Sequence, residues 1–147
     1  MDHVTLAADL FLEGYNCAQA VVVAFADVTG MDQKAAAKMA APFGGGMGRM
    51  REVCGAVCGM FLVAGIKQGY TKPHDPPTKK AHYQLIQQMA EEFKKETGSI
   101  ICRDLLGQEE ASKAPGQART EAYYKKRPCA ELCGLAARIA AKNLGFE

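Results

Sequence analysis

Apolar residues recur along this chain mostly at the three-and-four spacing of helices, interrupted by glycine and proline. Val4 to Glu13, with Leu6, Leu10 and Phe11, predicts a short first helix closed by Gly14. Asn16 followed by Gln19 three residues later carries a capping-box signature. A second, strongly apolar helix is therefore expected from Cys17 to about Val28, with Gly30 behind it. Asp32 is placed to cap a third helix through about Ala40, stopped by Pro42. After the run FGGGMGRM, which starts at Phe43, an apolar helix is expected from roughly Arg51 to Gln68, ended by Gly69. Val21 to Val23 and Phe61 to Val63 are short runs that a strand could claim, but the surrounding alanines and the segment lengths favour helix. Gly55 and Gly59 lie one turn apart, which lets a neighbouring helix, in this chain or in a second copy, approach closely.

The stretch TKPHDPPT, Thr71 to Thr78, reads as a proline-rich loop. Lys79 to Thr97 is the cleanest amphipathic segment, with His82, Ile86, Met89 and Phe93 on one face. Gly98 ends it, and Ser99 is placed to cap a short helix through Leu106. Gly107 to Arg127 is polar and contains Pro115 and Gly116, so a loop with one short helix is expected. Pro128 suits the first position of a last helix running to about Leu144, with Gly145 after it. With no internal repeat or domain boundary in view, the expectation is one compact all-α domain over residues 1–147, built from about six to eight helices.

Composition narrows the functional classes. The chain of 147 residues is 48% hydrophobic and 23% charged, a globular balance that argues against disorder. Net charge is +2 and no basic stripe is interleaved with aromatics, so nucleic acid is not an expected partner. The first residues lack a basic leader, and the longest uncharged run, Val53 to Ile66, is too short to cross a bilayer. The expectation is a cytoplasmic protein without a membrane association. In that compartment six cysteines are expected as metal ligands, redox groups or buried small apolar residues rather than structural disulfides.

Their placement carries the chemistry. Cys17, Cys54, Cys102 and Cys129 each fall at an expected helix start, and Cys58 and Cys133 lie one turn beyond Cys54 and Cys129. Unpaired backbone N–H groups and the helix dipole favour an anion there, which should make these thiols acidic, and the thiolate is both nucleophile and metal ligand. Taken singly, each could be a buried structural thiol. Recurrence at four helix starts points instead to redox chemistry at all six. The first reading is electron transfer through an iron–sulfur centre held by Cys17, Cys54, Cys102 and Cys129, with Cys58 and Cys133 as extra ligands or resolving thiols. The second is metal-free thiol–disulfide exchange, although no C-x-x-C pair occurs. The third is a structural zinc site, whose ligands more often come as closely spaced pairs. Covalent haem is excluded because no C-x-x-C-H is present. Turnover as an oxidoreductase and simple electron carriage both remain open, with a redox protein or a small thiol as the expected partner.

Gly44, Gly45 and Gly46 are candidate cofactor-binding residues. The run lacks the Lys-Ser/Thr ending of a phosphate loop, so close packing beside the Cys54 helix is the stronger expectation. Arg49 and Arg51 flank it and could hold a thiolate or an anionic substrate, or simply face water. His74 is expected exposed, His82 packed, and Met47, Met50 and Met60 are expected in the core. Lys94, Lys95, Lys125, Lys126 and Arg127 form short charge runs expected to face solvent.

NCAQAV from Asn16, FGGGMGR from Phe43, EVCGAVCG from Glu52, CRDLLG from Cys102 and CAEL from Cys129 together resemble the C-GCAxxG-C-C family of redox-active proteins. The resemblance runs roughly from Gly14 to Ala141. It implies an all-helical fold and a redox role for the cysteines that correspond by position, Cys17, Cys54, Cys102 and Cys129. Two features depart from the pattern: glycine follows Cys54 where the family name has it before the cysteine, and Cys58 and Cys133 are additional.

Overall fold

The computed structural model describes residues 2–112, 119 and 127–146. The chain is all-α, with six helices of eight residues or more among the described residues: α1 (His3–Glu13), α2 (Cys17–Ala24), α4 (Gln33–Ala40), α6 (Gly55–Gln68), α7 (Pro76–Thr97) and α10 (Cys129–Leu144). Short turns of helix join them: α3 (Ala26–Thr29), α5 (Gly44–Met47), α8 (Cys102–Leu106) and α9 (Gln108–Ala111). Among the described residues the one β-type pairing is an isolated antiparallel bridge between Val53 and Ile101.

Capping follows the sequence closely. Asn16 accepts from the Gln19 N–H while the Gln19 side chain accepts from the Asn16 N–H, the reciprocal pair expected at α2. Asp32 caps α4 and Gly145 closes α10 in the left-handed conformation. Five boundaries differ, one of them the start of α6, at Gly55 rather than near Arg51. The second helix breaks at Phe25 rather than running to Val28, because the break sends the Phe25 ring into the core, stacked on His3 at 4.4 Å and near Phe146. The amphipathic helix starts at Pro76, inside the expected loop. Asp75 caps it, and proline costs nothing in a first turn whose N–H groups have no partner anyway. Ser99 does not cap α8: its hydroxyl accepts from the Ile101 N–H and donates to Asp104, and Ile101 takes the cap position. Pro128 sits one residue earlier than expected, at the cap rather than in the first turn. The rest of the polar stretch, 113–118 and 120–126, with Pro115, Gly116, Lys125 and Lys126, lies outside the described residues.

α2 lies at the centre, packed on α1, α4, α6 and α10, while α1 runs along α10 and α7 covers α10 and α6. Phe25, Phe93, Met60, Met89, Val21 and Val22 are fully buried. Met60 fills the core as expected, but Met50 is 66% exposed because it lies on the glycine loop rather than on a helix. His82 is half-buried against Tyr70, and His74 is exposed. No helix among the described residues is long and apolar enough to cross a membrane.

Gly55 and Gly59 serve an approach within the chain. A Cβ on Gly59 would fall 2.8 Å from Val21 Cβ and 3.0 Å from the Ala18 carbonyl of α2, and one on Gly55 would collide with Cys17 Sγ. Gly59→Ala is therefore expected to destabilise the protein by about 1–3 kcal/mol, as overpacking of a close helix contact does. Urea unfolding of the variant checks this, and an unchanged midpoint would show that α2 can shift without cost.

Candidate functional site: a cavity of four thiols

The segment joining α5 to α6 positions the site. Six of the residues from Gly45 to Arg51 have positive φ, including the non-glycine Met47 (67°), Arg49 (65°) and Arg51 (61°). L-residues adopt that region at a cost, so neighbouring structure must hold them there. The hold comes from short bonds to the Ile100–Cys102 segment: the Cys54 N–H donates to the Ile100 carbonyl at 2.7 Å, and the Cys102 N–H to the Glu52 carbonyl at 2.6 Å. The same clasp fixes Cys54 and Cys102 next to each other in the fold. Cys54 is thus the cap residue of α6 rather than a member of its first turn.

The four helix-start cysteines meet. Cys17, at the first position of α2, Cys54, Cys102, at the first position of α8, and Cys129, at the first position of α10, all line one cavity of about 320 Å³. Cys17, Cys54 and Cys102 are only 5–8% exposed. Cys58 and Cys133 are not brought to the cavity. Cys58 lies in a separate apolar cleft with Phe43, Met47 and Phe61, its thiol donating to the Val53 carbonyl at 3.8 Å. Cys133 is wholly buried, its thiol directed to the Cys17 carbonyl at 3.6 Å.

The glycine run divides similarly. Gly44 and Gly45 line the cavity, but Gly46 does not. A Cβ on Gly46 would fall 2.6 Å from Cys102 Cβ and 2.9 Å from Arg51 Cα, so that glycine lets the loop pack against the Cys102 side chain and the Arg51 backbone.

Sequence reasoning singled out Arg49 and Arg51 beside the glycine run but missed Arg119 and Arg127. All four line the cavity, and among the described residues no Asp or Glu does. Arg127, expected at the surface, is 8% exposed and pairs with buried Glu110 at 3.0 Å. Arg119 lies over the Phe11 ring and donates to the Phe11 and Tyr15 carbonyls. Arg51 is 8% exposed and donates through Nε to the Ala111 carbonyl and through Nη1 to Cys102 Sγ at 3.7 Å. Arg49 is exposed, as one of the two expectations for it allowed. No local pattern marks Arg119 or Arg127, since the groups that hold them are distant in sequence.

The expected acidity is reversed at Cys54, Cys58, Cys102, Cys129 and Cys133. Burial holds Cys54 and Cys133 well above the ordinary thiol value, and negative charge on Cys17 adds to it. Burial, then charge on Cys17, pushes Cys58 up to about 11 and Cys129 up to about 12. Burial also raises Cys102, against the pull of the Arg51 hydrogen bond and charge. Backbone N–H groups at the start of α6 do pull Cys54 down, but by less than burial raises it. Charge on Cys17 raises all five of the others, so Cys17 is the electrostatic hub of the set.

A stability consequence follows. Below the ordinary thiol value of about 9, Cys58 and Cys129 are protonated whether the chain is folded or not. Above it only the unfolded chain releases those protons, so stability is lost as pH rises from about 9 toward 11 for Cys58 and 12 for Cys129. The expected slope is about 1.4 kcal/mol per pH unit for each such thiol. Denaturant unfolding across that window should show a shallower fall for Cys129→Ser than for the parent, and equal slopes would sink the assignment.

Four thiols suffice in number for zinc or an iron–sulfur centre. Among the described residues no three His, Cys, Asp or Glu side chains are gathered closely enough to hold one single ion.

Compared with known proteins, the chain matches over residues 15–143 the family model described as "Putative redox-active protein (C_GCAxxG_C_C)". No curated protein and no solved structure matches it.

Proposed function

The chain belongs to the C_GCAxxG_C_C family of redox-active proteins, and from that premise we propose that it is a thiol–disulfide oxidoreductase whose working thiols are the four on the cavity. The observation that carries this reading is the convergence of Cys17, Cys54, Cys102 and Cys129, all unbridged, on one cavity. Cys17 is the attacking group and Cys54 the resolving one. Cys17 Sγ packs directly on Gly55, the neighbour of Cys54, and charge on Cys17 is the foremost electrostatic influence on Cys54.

The chemistry balances as two-electron exchange. Cys17 Sγ, as thiolate, attacks one sulfur of a substrate disulfide. That S–S bond breaks, a mixed disulfide forms, and the first substrate thiolate leaves and takes up the proton that Cys17 gave up. Cys54 Sγ, on losing its proton, then attacks Cys17 Sγ, and a Cys17–Cys54 disulfide forms as the second substrate thiol leaves with that proton. Two protein thiols are oxidised and one disulfide is reduced to two thiols. A second thiol donor reverses the step and restores the protein. Arg51, hydrogen-bonded to Cys102, favours the thiolate at that wall of the cavity and keeps Cys102 available as an alternative resolving group.

An iron–sulfur centre is the second reading, favoured by the number of cavity thiols and by the surrounding arginines, which would offset a negative cluster. One experiment separates the two: protein purified without oxygen is measured for visible absorption, iron, acid-labile sulfide and zinc, and its thiols are titrated before and after one equivalent of oxidant. A colourless, metal-free protein that loses two titratable thiols per equivalent supports exchange. Bands between about 300 and 600 nm with matching iron and sulfide overturn it in favour of the cluster. Zinc alone, with loss of fold on chelation, would overturn both.

A further inference from the structure

We propose that the thiol cavity carries an anion-binding subsite on Arg51, which selects small substrates bearing a carboxylate. The proposal names the substrate class for the exchange site above, and in that respect rests on it.

The subsite stands on the Arg51 guanidinium. Its Nη1 lies against Cys102 Sγ and would be 3.7 Å from a Cβ on Gly45, so the group borders the cavity beside a working thiol. Its Nε is spent on the Ala111 carbonyl at 3.1 Å. Its Nη2 is buried and has no hydrogen-bond partner among the described residues. Both partners that Arg51 has among the described residues are uncharged groups, so among those residues this buried, permanent positive charge has no counter-ion. A buried unpaired donor on a buried charge is among the more costly features a protein can hold, and its presence calls for a ligand that relieves it. The backbone reinforces the point, since Arg51 is held at φ 61° by the Ile100–Cys102 clasp. Strain at a non-glycine residue whose side chain borders a cavity marks a position kept for what that side chain does there.

The rest of the cavity selects the ligand. Among the described residues its lining contains four arginines and no carboxylate, which draws anions in and repels cations. Arg127 is already matched by Glu110, whereas exposed Arg49 stands at the rim. A volume of about 320 Å³ is at the small end of cavities that enclose a small molecule. Cys17, Cys54 and Cys102, at 5–8% exposed, favour a disulfide small enough to enter the cavity over one on the face of a folded protein. The substrate is therefore a low-molecular-weight disulfide, or its thiol, with a carboxylate that seats on the planar fork of Arg51.

The probe for the subsite alone is glutarate, a dicarboxylate that cannot exchange thiols. Calorimetry should detect its binding to the reduced protein, and Arg51→Gln should weaken that binding at least tenfold, with Arg51→Lys in between. Glutarate should also slow the reduction of dithiodipropionate, a dicarboxylate disulfide, competitively. Equal affinity in the parent and Arg51→Gln, or no binding to the parent, overturns the subsite. If Arg51→Gln loses its helical circular dichroism, the parent decides the matter. Saturating glutarate must then slow iodoacetamide labelling of Cys102 and leave Cys58, in its separate cleft, unprotected. Equal labelling with and without glutarate overturns the subsite. Failure of the exchange reading looks different: glutarate binds through Arg51 while dithiodipropionate is never reduced.

Discussion

Cys17→Ala is expected to lower the rate at which the reduced protein reduces dithiodipropionate by on the order of a hundredfold or more, the usual consequence of removing a group that attacks covalently. The variant should still fold. Cys17 is a small side chain at the edge of the core, and its loss should cost only about 1–2 kcal/mol. A second readout separates an electrostatic hub from a filler. Burial and charge on Cys17 together hold Cys129 up, so without Cys17 the labelling of Cys129 by iodoacetamide should begin at lower pH than in the parent. Cys58→Ala and Cys133→Ala, whose thiols are off the cavity, should keep the exchange rate within about threefold of the parent. A Cys17→Ala protein that reduces the disulfide at the parental rate would end the assignment, and a comparable loss in Cys58→Ala would move the site to the apolar cleft.

Arg127→Met is expected to have the largest effect on stability. The Arg127 and Glu110 side chains are 4% and 6% exposed, with Nε to Oε2 at 3.0 Å and Nη2 donating to the Glu110 carbonyl. Removing the cation takes a partner charge away from a buried carboxylate, which costs about 3–5 kcal/mol in comparable sites. For a chain of this length that corresponds to a fall in Tm of roughly 10 °C. The double variant Arg127→Met with Glu110→Leu should recover most of the loss, because the cost lies in the stranded charge rather than in the missing bond. Denaturant unfolding of the two single variants and the double closes the cycle. A loss under about 1 kcal/mol in Arg127→Met would mean that water reaches the pair. The pair also joins α9 to the start of α10, so the single variant should loosen the cavity wall that carries Cys129.

Much of this protein is determined locally. Asn16 with Gln19, Asp32, Gly14, Gly98 and Gly145 end or begin helices through bonds made within a few residues, so the helical class and most boundaries are legible in the sequence. The four helix-start cysteines are legible for the same reason, and so is the close approach at Gly55 and Gly59. What depends on distant neighbours could not be read there. The break at Phe25 is set by His3 and Phe146, and the position of Cys54 by a clasp to Ile100 some forty-six residues away. The direction of the thiol pKa values was misread because helix starts act locally, while burial belongs to the packed molecule and outweighs them. Arg127 reads in sequence as part of a solvated charge run and is buried against Glu110 only in the folded chain, while Arg51, legible as a candidate to hold a thiolate or an anion, meets Cys102 only there. The helices and the positions of the thiols along them follow from local sequence. Which thiols share a cavity and which charges stand over them follows from the packed fold, because burial and electrostatics depend on every neighbour in space and not on the few along the chain.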